Sequence, residues 1–259
     1  MARTIPPDRL PAVLAAAARV FVAHGYRRTQ MQDVADALGV AKGTLYGYAA
    51  GKEALFAAAV RYGDGTEPLP ALTDLPLPPP GPGELARLVA ARLAAQVPDM
   101  ALTRALAQSD PPPGPPGEAG VELAGIVVDL YRRLAAHRVA IKLVDRCAPE
   151  LPDLAEVWFG TGRGAQMAGM EAYLRRRQAT GVLVLPGPPP LVARTVVELC
   201  VLWAVHCRFD LAPAGPTDRG DDYSADPADD EETVAATLAA LLVHGLAPAA
   251  ASDPTNRSD

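Results

Sequence analysis

Between Thr29 and Lys52 the chain crowds one cation and three hydroxyls, Lys42, Thr44, Tyr46 and Tyr48, into a short run. Ammonium and hydroxyl donors suit the phosphate oxygens and base edges of a duplex. The elements that must position them read from TQMQDVADALGVAKGTLYGYAAGK as an amphipathic helix, a tight turn and a second, short helix. A helix-turn-helix lets one helix enter the major groove while the other braces it against the backbone. DNA is therefore the leading partner.

The surrounding sixty residues supply a scaffold for such a pair. Val13, Leu14, Ala17, Val20, Phe21 and His24 recur at helical spacing, and Gly25 ends that helix. Thr29 is expected to cap the next helix, with Gln32 at the spacing of a capping box and Met31, Val34, Ala35 and Leu38 on its buried face. Gly39 permits the turn, and Val40 returns to the core. A third helix is expected over about Lys42 to Ala49, with Leu45 inward and Lys42, Thr44, Tyr46 and Tyr48 outward or flanking. A fourth runs from Lys52 through Leu55, Phe56 and Ala59 to about Tyr62. The first 62 residues carry a net charge of +4 and the remainder −10, within a total of −6. A basic head on an acidic body fits a protein that meets DNA at one end.

Residues 10–62 resemble the N-terminal domain of the TetR (tetracycline repressor) family of transcriptional regulators. The resemblance rests on VLAAAARVFVAHGY, TQMQDVADALGVAKGTLYGY and KEALF at matching intervals. It implies that Lys42, Gly43 and Thr44 open the recognition helix, where free N–H groups and the helix dipole favour phosphate and Gly43 allows close approach. It assigns Tyr46 and Tyr48 to phosphate or sugar contacts, Lys52 to a charge at the start of the fourth helix, and Gln30 to a polar contact. Thr29 and Gly47 complete the expected DNA-binding set, Lys42 and Thr44 are candidates for base reading, and Arg28 is a possible arm to the backbone or minor groove. Three departures bear on affinity. Ala41 stands where a serine cap is frequent, Gly47 replaces a larger residue, and Ala49 and Gly51 replace the usual Phe and small polar residue.

Beyond Tyr62 the chain alternates helical patterns with proline-rich breaks. Breaks fall at 64–83, 111–117, 186–190 and, acidic rather than proline-rich, 212–232; helices are expected at about 84–96, 99–108, 118–146, 152–179, 190–210 and 231–245. No convincing strand pattern appears, so the fold class is all-α. The expected division is a helix-turn-helix DNA-binding domain at 1–62, a larger helical effector-binding and dimerisation domain at 63–247, and a disordered tail at 248–259. The family resemblance implies a homodimer through the helices near 190–210 and 231–245, and a small-molecule effector whose identity stays open. Tyr131, Trp158, Met167, Met170, Tyr173, Cys200, Trp203 and His206 are the candidate lining of that pocket, although each also suits ordinary helical core.

Other chemistry finds little support. The run Gly160-Thr161-Gly162-Arg163-Gly164 lacks the Lys-Ser/Thr of a phosphate loop and reads as a flexible helix start or kink. Arg175-Arg176-Arg177 reads as helix-end cations facing the dipole and solvent. Three cysteines and four scattered histidines form no zinc spacing, and the four serines sit in no nucleophile elbow. No catalytic residue, metal or cofactor is assigned. Arg194 and Glu198 interrupt the apolar run around 191–205, so no membrane span is expected and the protein is placed in the cytoplasm. The resulting reading is a ligand-responsive regulator, a homodimeric repressor on a near-palindromic operator. The alternative is a TetR-like helical protein that has lost specific DNA binding and acts through small-molecule or protein contacts.

Overall fold

A computed structural model describes residues 9–108, 118–209 and 230–246. The expected break at 111–117, most of the acidic loop at 212–232 and the tail at 248–259 lie outside them. Among the described residues the chain is all-α, without a strand. The helices are α1 Arg9–His24, α2 Met31–Leu38, α3 Lys42–Leu45, α4 Lys52–Tyr62, α5 Glu84–Gln96, α6 Ala101–Ala107, α7 Glu118–Ala136, α8 Arg138–Cys147, α9 Pro152–Ala155, α10 Arg163–Ala179, α11 Pro189–Val201 and α12 Glu231–Leu246. They pack as two compact units, one of residues 9–95 and 136–164, the other of described residues 96–135 and 165–246.

In the first unit α1 lies against α2, α4 and α8. Its apolar stripe, Val13, Leu14, Ala17 and Phe21, meets Val34 and Ala35 of α2, Leu55, Phe56 and Ala59 of α4, and Leu143, Val144 and Cys147 of α8 in one buried cluster. Phe21 and Phe56 meet edge to face at 5.0 Å between centroids, and Tyr26 meets Phe56 at 5.1 Å. Burying a phenylalanine contributes about 2–3 kcal/mol, so this trio is a large share of what orients α1 against α4. Asp64, just beyond α4, receives the Val139 and Ala140 amides at 2.7 and 3.0 Å and so satisfies the open start of α8. Burial raises the Asp64 carboxyl above its ordinary value despite those two bonds.

The expected helix at 118–146 is two helices, broken at His137, whose backbone leaves the helical region (φ −124°, ψ 24°). The stretch 152–179 is interrupted by a π-helical segment, Glu156–Gly162, which gives the glycine-rich run its structural reading as a local helix irregularity. A second π-helical segment, Leu202–His206, follows α11.

In the second unit the arginine run corrects the sequence expectation. Arg175 does pair with Glu171 on the surface, but Arg177 is only 1% exposed and Arg176 turns inward. Arg177 donates to both Glu122 oxygens, at 2.8 and 3.1 Å, and to the Ala105 carbonyl at 3.3 Å; Arg176 donates to the Leu106 carbonyl at 2.6 Å. The two cations thus satisfy the open end of α6 while tying it to α7 and α10, a demand that a buried carbonyl imposes and solvent would not.

A second correction concerns the apolar run after Pro189. By length and composition the helical stretch Pro189–Phe209 is able to cross a membrane. The two charges that were expected to break it, Arg194 and Glu198, lie one turn apart at 3.8 Å and leave the remainder apolar. Val192, Ala193, Val196, Val197, Cys200, Ala204 and Val205 are buried within the second unit, whereas Leu191, Leu202 and Trp203 stay exposed.

Burial opposes ionisation of Glu122, but Arg177 and the Tyr173 hydroxyl outweigh it and hold the carboxyl below the usual glutamate range. A lowered folded-state value means that the pair stabilises above the ordinary pKa of about 4.3 and is lost as pH falls through the folded value. Glu122→Gln is expected to cost about 3 kcal/mol at pH 7 by leaving Arg177 buried and uncompensated. In urea titrations that deficit should persist through the ordinary glutamate range and shrink only as the pH falls through the lowered folded-state value, where the wild-type carboxyl is itself neutral.

Candidate nucleic-acid interface

The corner between α1 and α2 sets the interface. Gly25 takes φ +80°, a conformation that side chains resist, and a Cβ there would lie 2.5 Å from Glu150 Oε1. Glu150 accepts the Arg27 amide at 2.6 Å, and Arg146 Nε donates to the Val22 carbonyl at 3.2 Å. Cys147 points its thiol at the Phe21 carbonyl at 3.8 Å, and burial pushes that thiol up to about 12. Side chains of α8 thus reach carbonyls at the end of α1.

Thr29 is not the cap of α2. It is buried, and its hydroxyl donates to the Gly25 carbonyl at 2.7 Å, closing the corner one turn earlier. Gln30 occupies the cap position instead, and its amide donates to Asp33 Oδ2 at 2.8 Å. The reciprocal acid is thus Asp33, one position after Gln32, which turns to Asp36 at 2.7 Å. Thr29 is thereby withdrawn from DNA contact by its own backbone bond, and Gln30 is left exposed.

Gly39 ends α2 in the left-handed conformation (φ 64°), and Val40 donates to the Ala35 carbonyl at 3.0 Å. The chain then enters α3, which is a single turn rather than the expected helix to Ala49. Its cap, Ala41, offers no side-chain acceptor, and Gly47 lies in the path of propagation. Past Leu45 the turn tightens, with Gly47 donating to Thr44 at 3.1 Å and Tyr48 donating to Leu45 at 2.9 Å.

Leu45 alone of α3 is buried. Lys42 and Gly43 are exposed, Thr44 and Gly47 half-buried, and Tyr46 is 44% exposed. Nothing in the protein lies within 4 Å of a Cβ built on Gly43, so the bare backbone there faces outward. Arg28 is exposed on the preceding corner. Lys52 is half-buried; its ammonium sits 4.7 Å from the Tyr26 ring centroid and donates to the Arg27 carbonyl at 3.4 Å. Its charge braces the corner. Burial, followed by Glu53, pushes the Tyr26 phenol up to about 12.

Tyr48 is the clear correction. It is 1% exposed, and its hydroxyl has no hydrogen-bond partner among the described residues. Residue 48 lies three positions after Leu45, the spacing of a shared helical face, and joins the cluster formed with Leu45 and Ala49. The structure thus leaves Arg28, Gln30, Lys42, Gly43 and Tyr46 exposed and Thr44, Gly47 and Lys52 half-buried, and buries Thr29 and Tyr48.

The candidate pocket residues divide between the units. Trp158 lies in the first, half-buried with Nε1 donating to Asp145 at 3.1 Å. The others belong to the second. There Tyr131, Met170, Tyr173 and Cys200 are buried, Met167 and His206 half-buried, and Trp203 exposed. Tyr173 donates to Glu122 at 2.9 Å, whereas the Tyr131 hydroxyl is buried without a partner among the described residues. Sequence reasoning missed Glu122 and Arg177; one glutamate in an apolar helical face and the arginine run were the available signals.

The first unit is a helix-turn-helix domain by this geometry. Residues 13–59 match the family model for bacterial regulatory proteins, tetR family. Over these residues the chain is similar to the N-terminal domain of that family of regulatory proteins. Among solved structures, the ketosteroid transcriptional regulator KstR2 of Mycobacterium tuberculosis shares 17% identity over 95% of this chain and 98% of its own, with a TM-score of 0.52. The TetR-family regulator PfmR from Thermus thermophilus shares 21% over 90% and 97%, with a TM-score of 0.45. AibR in complex with isovaleryl coenzyme A and operator DNA shares 16% over 91% and 98%, with a TM-score of 0.46. A comparison with curated proteins finds no match.

A buried hydroxyl without a partner costs about 1–3 kcal/mol, so Tyr48→Phe should leave stability unchanged or raise it by about 1 kcal/mol and leave DNA affinity intact. Binding titrations with the two single variants decide the assignment: Tyr46→Phe should weaken affinity, and a loss in Tyr48→Phe instead would restore the outward placement of residue 48.

Proposed function

We propose that this protein is a homodimeric, ligand-responsive repressor that reads a near-palindromic operator through Lys42, Gly43, Thr44 and Tyr46 of each subunit. The observation that carries this reading is the outward, internally unused set on α3, held by Leu45 beneath it and by the Gly25 corner behind it. Gln30 and Arg28 flank the set and suit backbone contacts. Successive major grooves place the two recognition segments about 34 Å apart.

Support for the dimer comes from apolar side chains left exposed on the last helices. Leu191, Leu202 and Trp203 on the stretch from Pro189, and Leu241 on α12, are all exposed. Large apolar groups left exposed on two packed helical stretches fit a subunit interface better than solvent. Within the same unit the unpartnered Tyr131 hydroxyl is the polar group best suited to orient an apolar effector. An effector that releases DNA must bind the released form more tightly; affinity alone shifts nothing. Function on DNA places the protein in the cytoplasm.

Selection on a random duplex library should recover an inverted repeat. Lys42→Ala should then lower affinity for the recovered duplex by about 1–3 kcal/mol and flatten its salt dependence, while Thr44→Ala should alter preference between sequences. Recovery of no motif would favour the alternative of a regulator-like protein without specific DNA binding, which the single-turn α3 also suits. For the interface, Trp203→Asp with Leu241→Asp should halve the mass in light scattering, and an unchanged mass would remove these helices from the dimer.

A further inference from the structure

The proline-rich stretch after α4, which the sequence marks only as a break, returns to the DNA-reading segment. Leu77 donates its amide to the Tyr48 carbonyl at 2.9 Å, and Ala50 donates to the Leu77 carbonyl at 2.9 Å, forming an isolated parallel bridge between Ala49 and Leu77. Leu75 and Leu77 also pack against the core of the first unit. Prolines occupy positions 76, 78, 79 and 80, so Leu77 holds the one backbone N–H between 76 and 80, and that N–H is committed to Tyr48. A chain so rich in proline is already extended before it docks and loses little conformational freedom on pairing.

The segment it pairs with needs such support. One turn of helix cannot sustain itself, because nucleation fixes several residues for a single hydrogen bond. α3 has no side-chain cap, and Gly47 follows it. Leu45 anchors the turn from beneath, but the exit of the chain at residues 48–50 is held by Leu77 from the side.

We propose that residues 75–77 form a strap that positions the DNA-reading turn, its backbone pairing with residues 48–50 fixing the direction in which Lys42, Thr44 and Tyr46 project. This rests on the DNA-binding reading above. The strap touches no DNA and reads no base; it supplies from downstream the rigidity that a longer recognition helix would provide itself. Leu77 and Ala50 are thus positioning residues for sequence preference, not for phosphate affinity.

The test uses the full-length protein, the duplex recovered by selection and a shuffled duplex of the same composition. Leu77→Pro removes the amide that reaches Tyr48, Ala50→Pro removes the amide that reaches Leu77, and Leu77→Ala keeps both bonds while trimming the side chain. Each proline variant should lower the ratio of selected to shuffled affinity about tenfold, with shuffled binding and thermal midpoint close to wild type; Leu77→Ala should hold the ratio. An unchanged ratio in both proline variants overturns the proposal. Amide exchange of the wild-type protein gives a second reading should either variant fail to fold: slowed exchange at both Leu77 and Ala50 supports the strap, and exchange at the unprotected rate overturns it. Failure of the wild type itself to select any duplex would overturn the DNA reading and the strap's role with it, and is distinguished because it precedes any substitution.

Discussion

The corner at Gly25 is the constraint on which the DNA-facing geometry depends. A positive φ there turns the chain out of α1, the Thr29 hydroxyl closes the turn on the Gly25 carbonyl, and Glu150 fills the space a side chain would need. Arg146 and Cys147 hold the last carbonyls of α1 from α8, and Lys52 holds the Arg27 carbonyl from α4. The start of α2, and through it the turn into α3, is therefore set by polar contacts from two helices remote in sequence. Few of these bonds are strong alone, but together they hold the backbone of the corner from several sides.

Much of the fold was legible because its signals are local. Helical periodicity and the glycines at 25 and 39 marked α1, α2 and their ends, and prolines separated α5, α6, α10 and α11 close to where the structure separates them. What periodicity does not carry is tertiary demand. His137 breaks a helix that the apolar pattern runs through, and Arg177 is buried because α6 ends beside it, a fact about a neighbour seventy residues away. The apolar stretch from Pro189 likewise divides into buried and exposed faces only once the second unit surrounds one of them.

The site was legible in outline and wrong in register at its margins. Lys42, Gly43 and Tyr46 are exposed and Thr44 half-buried, whereas Leu45 is buried. Tyr48 was placed outward or along a flank, yet it stands three positions after the inward Leu45 and is buried beside it. Thr29 was taken for a cap because serine and threonine cap helices, yet its hydroxyl had a closer partner in the Gly25 carbonyl. Lys52 illustrates a subtler limit. A lysine near a basic surface reads as a phosphate ligand, whereas an aromatic face and a carbonyl within reach draw it back into the protein.

The central claim is that a single helical turn, braced by Leu45, the Gly25 corner and a proline-rich segment, presents the groups that meet DNA. Hydrogen exchange of the full-length protein, with and without the duplex recovered by selection, tests this most directly. The account predicts that added duplex slows exchange across residues 41–47 and at the start of α2. Protection confined to other surfaces, with residues 41–47 exchanging as in the free protein, would contradict it.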